Sequence, residues 1–113
     1  MKYMLLIHDD ATLRPEGEDE AINKAYFEYT QELVSAGVIQ GGDALEAPST
    51  ATTVRVRKGQ TLTTDGPFAE TKEQLGGFYI VDVADLDTAL GWAAKIPSAA
   101  WGSVEVRPVR DMG

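Results

Sequence analysis

Two segments, Tyr3 to Ile7 and Phe78 to Val83, are of strand length and apolar at successive positions. A strand turns alternate side chains to opposite faces, so a run without polar alternation asks for cover on both sides of its sheet. That demand limits the chain to folds in which helices close one face and a further layer closes the other. The helices are legible. Ile22, Tyr26, Tyr29 and Leu33 recur at helical spacing, with Lys24, Glu28, Gln31 and Glu32 away from the stripe and Gly37 as the expected stop. Leu86, Ala89, Leu90 and Ala93 form a second stripe, with Asp85 as its N-cap and Pro97 closing it. Phe27 and Val34 lie on another line of the first helix, either flanking its stripe or meeting a second chain.

Between these elements, Val38 to Leu45 reads as a strand interrupted by Gly41-Gly42, where a bulge is the ordinary explanation. Thr53 to Arg57, Lys58-Gly59 and Gln60 to Thr63 read as a hairpin with Val54, Val56 and Leu62 inward and Arg55 and Arg57 outward. Val104 to Val109 alternates as a last strand that should end, or lie at an edge, at Pro108, which has no N–H for a ladder. The order is strand, helix, strand, hairpin, strand, helix, strand. This is an α+β, ferredoxin-like split-βαβ plan with an added hairpin, expected to occupy residues 1–113 as a single domain. Right-handed crossovers put both helices on one face. A second copy packed sheet to sheet is the simplest cover for the other, so a homodimer is expected.

Composition narrows the functions. At 113 residues the chain can bury roughly 65% of its unfolded surface and needs no staple to fold. It has no cysteine, which removes thiol nucleophiles, thiolate zinc sites and disulfides and is compatible with a cytoplasmic location. The start meets Asp9 and Asp10 too soon for a signal peptide or a membrane span. A formal charge of -8 opposes nucleic-acid and membrane surfaces. No metal is expected, because a lone His with scattered carboxylates has no ligand spacing. No cofactor is expected either: Gly41-Gly42 is followed by neither a Lys-Ser/Thr pair nor a helix, and no nucleotide, flavin or nicotinamide fingerprint occurs.

The run Asp65-Gly66-Pro67-Phe68-Ala69-Glu70-Thr71-Lys72-Glu73, then Gly76-Gly77-Phe78 and the closing Val104-Glu105-Val106-Arg107-Pro108, resembles the signature of the DGPF branch of the YCII-related proteins. The opening Met1 to Ile7 matches as well. The resemblance spans nearly the whole chain and implies a ferredoxin-like fold in a dimeric α/β-barrel assembly. It implies little about chemistry. Many such proteins are small, stand-alone and bacterial, some are linked to extracytoplasmic-function sigma factors, and related YCII proteins include enzymes of chlorinated-aromatic breakdown. Those enzymes resemble one another in a His on the first helix and an Asp before the proline that ends the second. Here Tyr26 stands near the first position and Ile96 precedes Pro97, so the dyad does not carry over.

The remaining candidates have a functional and a plain reading each. His8 stands at a strand end, with Asp10 able to share its side and Asp9 pointing away. It is a general base or simply a strand-end histidine. Asp65 and Glu70 are carboxylates at the mouth of an inter-sheet cavity, with Lys72 able to pair with either; equally, Asp65 to Phe68 is a tight turn whose Asp accepts local N–H bonds and whose Phe anchors the loop. Arg107 either pairs with Glu105 or holds an anionic ligand. Phe78 and Tyr79 point to opposite faces, one of them into the barrel, and Trp92 and Trp101 pack a helix end or the dimer contact. The expected ligand-binding set is Asp65, Phe68, Glu70, Lys72, Tyr79 and Arg107, with Asp65, Glu70 and His8 as candidate acid-base groups. The leading expectation is a homodimeric binder of a small organic ligand in an accessory role. The alternatives are a proton-transfer enzyme, of isomerase, lyase or dehalogenase type, acting on a small aromatic or lactone, and an interaction partner of a sigma factor or regulator.

Overall fold

A computed structural model describes residues 1–113. The elements are β1 (Lys2–Asp10), α1 (Asp19–Ser35), β2 (Ile39–Ala44), β3 (Thr52–Arg57), β4 (Gln60–Asp65), β5 (Glu73–Asp82), α2 (Leu86–Ala94) and β6 (Ser103–Pro108), with single 3₁₀ turns at Pro48–Thr50 and Pro97–Ala100. It is a mixed α/β chain. Four strands form one antiparallel sheet in the order β2-β5-β1-β6, while β3 and β4 pair only with each other.

Alternate residues of β1 settle which face the helices take. Tyr3, Leu5 and Ile7 are buried and join Val81, Val83, Tyr29, Leu33, Ala89, Ala93 and Ile96 in one core, so α1 and α2 pack on the same side. The intervening residues face away. Met4 stands opposite Ile80 and Leu6 opposite Phe78, half-buried, so the helix-free face carries an apolar centre. Both faces of these strands are apolar, as the uninterrupted runs require. Among the helix residues, Phe27 is 66% and Val34 54% exposed, outside the core.

Several local expectations are corrected. The strand expected from Phe78 begins at Glu73, so Gly76 and Gly77 belong to β5, whose register against β1 shifts between Ile7 and His8. On β2 the register shifts between Ile39 and Gly41, which is the expected bulge. Gly42 has φ 155, and a Cβ there would lie 2.6 Å from the carbonyl oxygen of Phe78, so a side chain could not enter this crossing. Leu62 does not share a face with Val54 and Val56. Lys58 (φ 52) and Gly59 (φ 76) make a two-residue turn with both central residues left-handed, which pairs Arg55 with Leu62 and Val56 with Thr61. Nor do these residues point into a core of this chain: Val54, Val56 and Leu62 are all exposed. On α2 the buried positions are Ala89 and Ala93, while Leu86 and Leu90 lie at the solvent edge. β6 ends at Pro108, at the sheet edge. No helix is long and apolar enough to cross a membrane.

Candidate functional site

A cavity of about 780 Å³ lies on the helix side of the sheet, between the first half of α1, the ends of β1 and β2, the loop after β2 and the start of β5. Its position follows from the sequence. The stripe of α1 turns Ile22 and Tyr26 toward the sheet, and β5 meets it with Gly76 and Gly77, the latter so close to β2 that a Cβ there would lie 3.0 Å from the Asp43 carbonyl oxygen. Ile7, Ile22 and Ile39 make an apolar wall.

Set into that wall is a row of hydroxyls. The phenol of Tyr26 hydrogen-bonds the hydroxyl of Ser98, the second residue of the 3₁₀ turn after α2, which is itself buried. One turn along α1, the Thr30 hydroxyl lies 2.9 Å from the Tyr79 phenol oxygen. Tyr79 also meets the ring of Tyr29 edge to face at 5.3 Å, and Tyr29 donates to the Trp92 carbonyl at 2.9 Å beneath the cavity. Burial pushes the Tyr26 phenol above its ordinary pKa, an effect that its hydrogen bonds to Ser98 only partly offset. Near neutral pH the Tyr26 phenol is therefore a proton and hydrogen-bond donor, not a base. The carboxylate beside them is Asp9, which accepts from the Trp101 indole at 2.7 Å. Arg14 and Lys72 also line the space, as do Asp43 and Glu46.

Of the ligand-binding set expected from the sequence, Lys72 and Tyr79 line this cavity. Asp65, Phe68 and Glu70 do not; all three are exposed, at the end of the β3-β4 arm and in the connection to β5. Phe68, expected to anchor its loop in the core, is 81% exposed, and Asp65 makes none of the local side-chain bonds expected of it. The turn is held by backbone instead: the Gly66 N–H donates to the Ala51 carbonyl at 2.6 Å, and Thr53 donates to the Gly66 carbonyl. His8 and Arg107 lie on the helix-free face, on either side of Glu105. Arg107 donates to Glu105 (Nε to Oε2, 3.1 Å), and His8 Nε2 lies 3.4 Å from Oε1. The hydrogen bonds from Arg107 hold the Glu105 carboxyl below the usual range. Asp10 does not join His8. It accepts from the Thr12 N–H at 2.9 Å and hydroxyl at 2.6 Å, and these bonds lower its pKa.

The residues that sequence reasoning missed are Ser98, Thr30, Asp9 and Arg14. Thr30 had a signal, being a polar residue four positions after Tyr26 on an otherwise apolar line. Ser98 had none: it reaches Tyr26 only because the turn at Pro97 folds back against α1 across 72 residues of sequence.

Three comparisons bear on what this arrangement belongs to. A family model described as the YCII-related domain matches residues 1–113. An uncharacterized protein of Rhizobium meliloti (strain 1021) is 39% identical over 114 residues, covering 96% of this chain and 92% of that protein. Among solved structures, the 5-chloro-2-hydroxyhydroquinone dehydrochlorinase of Burkholderia phenoliruptrix AC1100, in complex with 2,5-dihydroxybenzoquinone, is similar in fold, with a TM-score of 0.51 at 16% identity over 97% of this chain and 94% of that one. From its first residue to its last, the chain is a member of the YCII-related domain family.

Proposed function

We propose that this protein binds a small organic molecule in the cavity beneath α1, with the Tyr26–Ser98 hydroxyl pair as its polar anchor. The observation that carries this reading is the row of hydroxyls, Ser98 buried and Tyr26, Thr30 and Tyr79 half-buried, set in an apolar wall around about 780 Å³ of space. A few convergent polar groups in an apolar concavity of this size suit one small ligand. In this reading the chain is a ferredoxin-like unit of the DGPF branch that works in the cytoplasm as a homodimer, a binding protein in an accessory role. Lys72 and Tyr79 touch the ligand. Asp65, Phe68 and Glu70 reach one only from the arm of a second copy, and His8 and Arg107 face the space between paired sheets.

NMR-detected titration with a panel of small cyclic compounds tests the proposal. Saturable shifts should map to Tyr26, Thr30 and Tyr79, and Tyr26→Phe should weaken binding several-fold, by about 1 kcal/mol for a lost neutral hydrogen bond. Shifts confined to the exposed arm, or none at all, would remove the reading. A second reading, a proton-transfer enzyme, is favoured by one feature: a phenol kept protonated and the Asp9 carboxylate share the cavity. The one gives a proton and the other takes one. The fold shared with a dehydrochlorinase fits this alternative. Turnover lost in Tyr26→Phe while binding persists would favour the enzyme over the binder.

A further inference from the structure

Arg14 is the group in this cavity whose bonding is least complete. Its Nε is buried and has no hydrogen-bond partner, the only buried side-chain nitrogen or oxygen of the chain in that condition. Its two outer nitrogens, on a side chain 37% exposed, face carboxylates only across loose ion pairs: Nη1 lies 3.8 Å from Asp9 Oδ2 and Nη2 3.4 Å from Asp19 Oδ1. Both separations exceed the 2.7–3.2 Å of a formed N–H···O bond. The guanidinium therefore stands in the cavity wall with five donors in a fixed fork and none of them in a made hydrogen bond. Asp9 is shared with another donor, its other oxygen accepting from the Trp101 indole at 2.7 Å. A buried donor left without a partner costs free energy, and a planar fork is matched best by two oxygens of one carboxylate.

We infer that the ligand of this cavity is a small organic acid whose carboxylate is taken by Arg14, an inference that rests on the cavity being the binding site. Lys72 lines the same space, and no carboxylate lies within ion-pair distance of it. It supplies a second positive charge at long range. Asp43 and Glu46 on the β2 side are exposed to solvent and set the orientation by repulsion, with the acid group held away from them. The body of the ligand then lies along Ile7, Ile22 and Ile39, and any oxygen at its far end meets the donors Tyr26 and Ser98. The net charge of -8 gives no general attraction for anions, so the preference has to come from Arg14 itself.

The test is an NMR-detected titration of the intact protein with benzoate and phenylacetate, each paired with its uncharged amide of nearly the same shape. At least one acid should bind about tenfold or more tightly than its amide, and the difference should vanish in Arg14→Gln. Arg14→Lys, which keeps the charge without the fork, should recover part of it. Equal binding of acid and amide by the unaltered protein would overturn the acid inference and leave the cavity reading standing. A preference that survives Arg14→Gln would assign the acid to another group and also overturn it. If neither acid nor amide perturbs the residues around Tyr26, the cavity reading fails with it. If Arg14→Gln does not fold, Arg14→Lys takes its place: an acid preference as large as that of the unaltered protein would overturn the assignment to the Arg14 fork.

Discussion

Tyr29 is the phenol with the most to lose. Its ring is buried against Tyr79 and Trp92, at 5.3 and 6.2 Å between centroids, and its hydroxyl donates to the Trp92 carbonyl. Burial pushes its pKa well above the ordinary 10.0, with the neighbouring Tyr79 and Tyr26 adding to the effect. A phenol whose folded pKa is raised contributes stability that is complete below the unfolded value and is lost as pH rises past it, because the native state then holds the proton more tightly. Two outcomes follow for Tyr29→Phe. Near neutral pH it should lose about 1 kcal/mol in chemical denaturation, since the Trp92 carbonyl loses its donor. Above the ordinary tyrosine range it should lose less additional stability than the unaltered protein does. Equal alkaline losses in the two proteins would show that Tyr29 is not the group responsible. The tyrosines of α1 were legible because they sit on a helical stripe. The partners of His8 were not. Asp10, the nearer in sequence, is captured by Thr12, and the carboxylate that meets His8 is Glu105, brought alongside only by the pairing of β1 with β6.

At the scale of elements, α2 shows what a local signal can specify. Asp85 is the N-cap that the sequence places there, and its carboxylate accepts from the Thr88 N–H at 2.8 Å and hydroxyl at 2.7 Å. These bonds lower its pKa from the ordinary 3.8. A carboxyl with a depressed folded pKa contributes stability that is present above the unfolded value and is lost as pH falls through the folded one. Asn caps a helix about as well as Asp but carries no charge to meet the helix dipole. Asp85→Asn should therefore melt a little below the unaltered protein at neutral pH, and the gap should close as the solution is acidified below the carboxylate range. A gap that is constant with pH would mean that the charge contributes nothing. The hairpin marks where such signals run out. Its turn was legible from Lys58-Gly59, but the register that the turn imposes was assigned one residue out for Leu62, and in a two-fold pattern a shift of one residue reverses the face. The cavity is illegible for a related reason: it borders Gly76 and Gly77, which extend β5 ahead of the apolar run that starts at Phe78, and glycines leave no side-chain periodicity to read.

The whole molecule is a slab, 47 by 45 by 18 Å, with a radius of gyration of 15.9 Å. A compact chain of this length would have about 13 Å. The excess lies in shape, because the β3-β4 ribbon belongs to no larger sheet and one face of the four-stranded sheet has no helix over it. The surface makes the same point. The chain exposes 7902 Å², against about 6,100 Å² for a compact monomer of its mass, so about 1,800 Å² is surface that a typical single chain would bury. That is the scale of what each partner covers in a sizeable obligate homodimer. The apolar centre formed by Met4, Leu6, Phe78 and Ile80, together with the exposed Val54 and Val56 of the ribbon, is the surface that a second copy would use. Light scattering at micromolar concentration should give the mass of two chains. Leu6→Glu, a charge at the middle of the helix-free face where Leu6 already touches no part of the helix-side core, should give the mass of one chain with its secondary structure retained by circular dichroism. A mass of one chain for the unaltered protein would mean that the apolar face is tolerated in solvent, and a mass of two for Leu6→Glu would place the contact elsewhere, with the ribbon and the Phe27–Val34 line of α1 next to be tested.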